Sequence, residues 1–119
     1  MNSRDASVPA HDEQALNQHL VDKGLTAPRI TPEIIDSTIV GEDYHVFDGA
    51  TVTVCLLKLR NGFTVTGESA CASPENFDAA VGRAIAKRNA RDKIWALEGY
   101  LLREKIASGA LTPATLSEA

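Results

Sequence analysis

Apolar and polar positions follow different rhythms along this chain, and each change of rhythm marks an element. Residues 1–11 show no periodicity and are expected to form a mobile arm. From Asp12 onward, DEQALNQHLVDKG places Leu16 and Leu20 one helical turn apart and Gly24 where a C-cap belongs. That apolar stripe is thin, so this helix needs support from elsewhere to persist. A second, shorter helix is announced by Thr31 as N-cap, Pro32 at the first helical position and Glu33 in the first turn. Ile34, Ile35, Thr38 and Ile39 supply its buried stripe, and Gly41 is expected to end it.

The pattern then becomes β. DYHVF reads as a strand, Asp48-Gly49 as a turn, TVTVCLLKLR as a long strand and FTVTGESA as a third. Asn61-Gly62 suits a two-residue type I′ hairpin, in which both central residues take positive φ. Such a turn sets Arg60 opposite Phe63. It pairs Lys58 with Val65, Leu56 with Gly67 and Val54 with Ser69 on one face. The other face pairs Leu59 with Thr64, Leu57 with Thr66 and Cys55 with Glu68, which leaves Glu68 half-buried within reach of the helix arginines. Cys55 and Cys71 then fall on opposite faces, against a disulfide. Both faces mix apolar with polar residues, so a helix is expected over one and part of a second subunit over the other.

Ser73, Pro74 and Glu75 open the last and longest helix, which meets no breaker before about Ile106. Phe77, Val81 and Ile85 form its first apolar stripe; Ile94, Trp95, Leu97, Leu101, Leu102 and Ile106 form a wider second one. Gly82 and Gly99 interrupt it, reading either as close packing against a neighbour or as a kink. Residues 107–119 are expected to fray. The fold class that follows is α+β: one domain over residues 12–106, with a three-stranded antiparallel sheet packed on one long C-terminal helix and one or two short N-terminal helices. The second stripe offers more apolar surface than three strands can cover, which predicts a dimer or larger homo-oligomer.

Composition narrows the function. The chain has 119 residues and a formal net charge of −4, which argues against a dedicated nucleic-acid binder. The N-terminus has no apolar stretch after its charge, and no run approaches the roughly 18 apolar residues of a membrane span. A cytoplasmic protein with reduced thiols and no membrane partner is the expectation. Within that acidic chain, RAIAKRNARDK inverts the sign: Arg83, Lys87, Arg88, Arg91 and Lys93 against Asp92 alone. Arg83, Lys87 and Arg91 recur every four residues and share a helix face, with Arg88 one step round. This ridge is either a phosphate-holding surface or a solvated helix face. Thr64, Thr66, Glu68 and Ser69 line up hydroxyls and a carboxylate toward the helix start, where an anion or ribose-phosphate could meet free N–H groups. A Thr-rich solvent-facing strand accounts for the same pattern. Catalytic signatures are missing: His11, His19 and His45 lack metal-ligand spacing, no histidine is placed to activate Cys71, and Ser69 has no nucleophile-elbow context. No metal, cofactor or enzymatic activity is expected.

The segments NGFTVTGES, SPENFD and KIWALEGYLL, within a similarity running over roughly residues 12–106, resemble a family of small proteins from tailed phages and prophages. That family is similar to the Thoeris anti-defence sponges. These sequester the cyclic ADP-ribose signal of bacterial TIR-domain enzymes, in some cases cyclic oligonucleotides too, without cleaving them and as homo-oligomers. The resemblance implies a pocket drawing on Phe63 and Glu68 from the strand motif, and on Asn76, Phe77, Arg88, Asn89 and Arg91 from the helix. An aromatic ring stacks a base, amides read base edges and arginines hold phosphate. With Ser69 and Arg83 from the strand and ridge, these are the candidate ligand-binding residues, in a pocket shared between subunits. The order helix, three strands, helix also resembles the double-stranded-RNA-binding fold, which leaves a nucleic-acid-binding module as an alternative. An inhibitor seated on a host enzyme is a third.

Overall fold

The computed structural model describes residues 12–25 and 27–110. The expected N-terminal arm and the tail beyond residue 110 lie outside the described residues. Helix α1 spans Glu13–Asp22, α2 Pro32–Thr38 and α3 Ala79–Ala107; the strands are β1 Ile39–Val46, β2 Val52–Leu59 and β3 Thr64–Ala70. The fold is α+β, with a three-stranded antiparallel sheet in the order β1-β2-β3. The chain divides into two compact units, one of residues up to Ile34 together with those from Gly99, the other Ile35–Glu98.

In the first unit α1 carries no buried residue, as its thin stripe requires. Its ends are closed locally. Asp12 Oδ1 accepts from the amides of Gln14 and Ala15 at 3.0 and 3.1 Å. Gly24, at φ +74°, takes the left-handed turn beyond the last residues. Arg29 donates to Asn17 Oδ1 at 2.6 Å, and Thr31 Oγ1 accepts from the amide of Ile34 at 3.3 Å.

The second unit holds the core. Ile35, Cys55, Leu57, Ala86, Ala90 and Ile94 have no exposed surface, and Thr38 and Thr53 are buried beside them. Alternate residues of β2 (Thr53, Cys55, Leu57, Leu59) and of β3 (Val65, Gly67) are buried, so a single face of the sheet meets α3.

Three expectations change. The helix of Ile34–Ile39 ends at Thr38, and Ile39 and Val40 open β1 instead. Both are β-branched, and Ile39 gains a ladder partner in Leu59 that a helix end would not supply, while Val40 stands unpaired where the register shifts. The hairpin is not type I′, since no residue except glycine has positive φ. Leu59 donates to Phe63 O and Gly62 to Leu59 O at 2.8 Å each, with Gly62 at φ +91°. This is a three-residue loop with a left-handed glycine bulge, closed further by Asn61 Oδ1 accepting from the Phe63 amide at 3.0 Å. One additional loop residue shifts the register by one: Leu57 pairs with Val65, Cys55 with Gly67, Val54 with Glu68 and Thr53 with Ser69. The mixed faces expected from the sequence separate as a result into one buried and one outward face. Cys55 and Cys71 are free for a different reason than opposite faces. Cys71 pairs with Thr51, four residues and about 13 Å of strand from Cys55.

The third change is the start of α3. Pro74–Asn76 form one 3-10 turn in which the Ser73 side chain makes no cap bond, and Phe77 is extended. Asp78 is the cap, its Oδ1 accepting from the Val81 amide at 3.0 Å and its carbonyl from Gly82 at 2.9 Å. Replacing Asp78 by alanine is expected to cost about 1 kcal/mol of stability, while Ser73→Ala stays within about 0.5 kcal/mol. Chemical denaturation of the two variants distinguishes these starts.

The helix meets the sheet through Gly82, Ala86, Ala90 and Ile94, at every fourth position. The expected stripe of Phe77, Val81 and Ile85 lies to one side, with Val81 52% exposed. A Cβ on Gly67 would sit 2.1 Å from Ala90 N, and one on Gly82 would sit 2.7 Å from Thr53 Oγ1. Gly82 is thus a close-packing glycine; Gly99 has nothing within 4 Å and is not.

Candidate functional site

The seam between α3 and the sheet ends in a cleft. At the ends of β2 and β3, Cys71 donates its amide to Thr51 O at 3.1 Å, and the Thr51 hydroxyl donates to Cys71 O. The Cys71 thiol donates to Ser73 O at 3.1 Å, so the chain leaves β3 along a defined path. The 3-10 turn then swings Asn76 and Phe77 back before Asp78 starts the helix. Between these segments lies a cleft of about 170 Å³. Thr51, Ser69, Ala70 and Cys71 form its strand wall; Asn76, Phe77 and Asp78 form its lip; Val81, Gly82 and Ile85 form its helix wall.

Of the nine candidate residues, Ser69, Asn76 and Phe77 meet here. Asn89 sits beside the cleft, but its amide Nδ2 donates to the Glu68 carbonyl at 2.8 Å and pins β3 to α3. Glu68 itself is exposed opposite Val54, on the face turned away from α3, not half-buried against Cys55. The one-residue shift at the hairpin is the cause. Phe63 is 55% exposed at the hairpin tip, about 20 Å of extended strand from Ser69. Within one chain it does not reach the cleft.

The basic ridge divides. Lys87 Nζ lies 2.9 Å from Glu42 Oε1, and Arg91 Nε 2.8 Å from Asp36 Oδ1. The Lys87 ammonium, with the Tyr44 hydroxyl donating at 2.8 Å, holds the Glu42 carboxyl below its ordinary range. Burial raises the Tyr44 hydroxyl, and the bond to Glu42 adds to the shift; burial likewise raises the Cys55 thiol. Lys87 and Arg91 therefore tie α3 to β1 and α2, while Arg83 and Arg88 are exposed and make no ion pair among the described residues. Thr51, Cys71, Asp78, Val81, Gly82 and Ile85 were not singled out by sequence as cleft residues. Asp78, followed at its third position by Val81, carries a readable N-cap signal; the others depend on which side of α3 faces the sheet.

Among the described residues no group of three or more His, Cys, Asp or Glu is placed to hold a metal ion, and no helix is long and apolar enough to cross a membrane. The residues assemble a small cleft lined by hydroxyl, amide and aromatic residues at a strand–helix junction. The chain belongs to the phage protein (N4 Gp49/phage Sf6 gene 66) family, whose match covers residues 30–106 and so includes every residue of the cleft. No curated protein and no solved structure matches the chain.

Proposed function

We propose that this phage protein binds and holds a cyclic nucleotide signal without turning it over, in the manner of the signal-sequestering proteins it resembles. The observation that carries the reading is the convergence of Ser69, Asn76 and Phe77 on one cleft. A hydroxyl for a ribose, an amide for a base edge and a ring for stacking match the parts of a nucleotide. The cleft is smaller than the roughly 300–1,000 Å³ of pockets that enclose whole organic ligands. It suits one base or ribose, with the rest of the ligand covered by a second copy. Arg88, exposed and without an ion pair among the described residues, is the ridge cation best able to meet phosphate.

Titration calorimetry with cyclic ADP-ribose isomers, cyclic trinucleotides and a short RNA duplex tests this. One cyclic nucleotide is expected to bind tightly and to be recovered intact after heat release. Arg88→Ala is expected to weaken that binding by about 1.5–3 kcal/mol, the range for hydrogen bonds to charged groups, with stability changed by less than about 0.5 kcal/mol. Preference for the duplex with steep salt dependence would replace this reading with the nucleic-acid one, and turnover of the ligand would replace it with an enzymatic one.

A further inference from the structure

The two edges of the sheet are finished differently. In β2, Thr51 and Leu59 bond toward β3, and the Arg60 amide bonds the other way, to Thr38 O at 2.9 Å. Backbone groups alternate sides along a strand, so Gly41, Asp43 and His45 bond to β2 through the pairs Gly41–Lys58, Asp43–Leu56 and His45–Val54. The N–H and C=O groups of Glu42, Tyr44 and Val46 consequently point out of the sheet. The β3 edge is partly closed, because the outward carbonyl of Glu68 is taken by Asn89. No hydrogen bond to a described residue closes the β1 edge. Of the usual guards of an edge strand, β1 has neither lysine nor proline; its charges are Glu42, already paired to Lys87, and Asp43, and its one irregularity lies at the Ile39/Gly41 end, away from Asp43–Val46. Beside it, Val46 and Phe47 are 38% and 53% exposed.

We infer that β1 is a self-pairing edge, along which two copies of the chain join antiparallel into one continuous six-stranded sheet. A two-fold pair must match its own sequence reversed, and only some centres put outward groups opposite one another. Centred on Asp43, the pairing sets two carboxylates face to face. Centred on His45, it sets Asp43 against Phe47. Centred on Tyr44, it sets Asp43 against the partner's His45 and Phe47 against the partner's Gly41, each twice by symmetry. It also sets Glu42 against the partner's Val46, and Glu42 keeps its Lys87 partner on its own chain. An acid then faces an imidazole, and a large exposed ring covers a residue with no side chain, the cross-strand match that compensates a glycine in a sheet. The three outward residues of each copy make about six backbone hydrogen bonds. Both α3 helices lie on the same face, each packed across β2 at Thr53 and β3 at Gly67; the two β2 strands alone are about 14 Å apart, enough for two helices of about 10 Å diameter.

This inference does not rest on the ligand reading, because the cleft is at the opposite edge of the sheet. It leaves the clefts at the two outer edges, open to the second contact that a shared pocket requires. The test uses the full chain with Cys71→Ser, which removes the half-exposed thiol, carrying either Asp43→Cys or His45→Cys. Across a Tyr44-centred pair these positions are non-hydrogen-bonded partners with Cα atoms about 4.5 Å apart, inside the disulfide range. Under mild oxidation the mixture of the two variants is expected to give a covalent dimer, with at least roughly tenfold less from either alone. Val46→Pro removes one outward N–H and spares the bonds to β2. It is expected to at least halve the mass measured by light scattering, from a starting value of at least twice 12.7 kDa, with the circular dichroism spectrum retained. Should that variant fail to fold, the crosslinking result decides alone. Crosslinking no greater in the mixture than in the single variants, or a folded Val46→Pro whose mass equals that of the native protein, overturns the proposal.

Discussion

Gly67→Ala is expected to destabilise the protein by about 3 kcal/mol, at the upper end of overpacking costs. The added Cβ would lie 2.1 Å from Ala90 N, 2.4 Å from Ala86 O and 2.7 Å from Ala90 Cα. All three are backbone atoms of α3, so no side chain can rotate aside and the helix must lift from β3. Lifting it would loosen Ala86 and Ala90, both without exposed surface, and strain the bond from Asn89 to Glu68. Urea denaturation measures the loss. Gly99→Ala is the control: with nothing within 4 Å of its Cβ, it is expected to gain up to about 1 kcal/mol from helix propensity. Equal effects at the two positions would mean that α3 is not seated on Gly67.

Ile94→Ala should cost between about 2 and 5 kcal/mol, the range for emptying a fully buried aliphatic site. Ile94 has no exposed surface and follows Gly82, Ala86 and Ala90 on the buried face. The three earlier positions hold residues too small to shrink usefully, so Ile94 is where that face carries most of its side-chain volume. Val81→Ala is expected to stay within about 0.5 kcal/mol of the native protein, because Val81 is half exposed at the cleft. The sequence pattern alone places both residues in core stripes. Thermal or chemical unfolding of the pair measures which stripe is the core.

That reversal has a physical reason. Hydrophobic periodicity weights a face by the size of its apolar side chains, and on that measure Phe77, Val81 and Ile85 outrank Gly82, Ala86 and Ala90. Contact between a helix and a sheet is set by how closely the backbones approach, and small residues permit the closest approach. The hairpin shows a second form of the same limit. Asn61-Gly62 correctly marks a turn between two strands, but a two-residue loop and a three-residue loop with a glycine bulge use the same dipeptide. One residue of difference exchanges Glu68 for Gly67 opposite Cys55, and with it the face on which every β3 side chain stands. The basic ridge is a third case: charge and spacing along α3 are legible, but whether each cation has a partner depends on Glu42 and Asp36, far away in sequence.

The sequence by itself determined the order of the elements, the cap at Thr31, the glycine turns after α1 and β2, and the α+β class. Those features depend on a residue and its neighbours within about one turn, where side-chain hydrogen bonds, proline geometry and positive φ act directly. The tertiary structure alone decided the strand register, the buried face of α3, the cations engaged by acids and the meeting of Ser69, Asn76 and Phe77 at one cleft. Each of these is a contact between segments distant in sequence. Such contacts are chosen by backbone approach and shared burial, which no local pattern encodes.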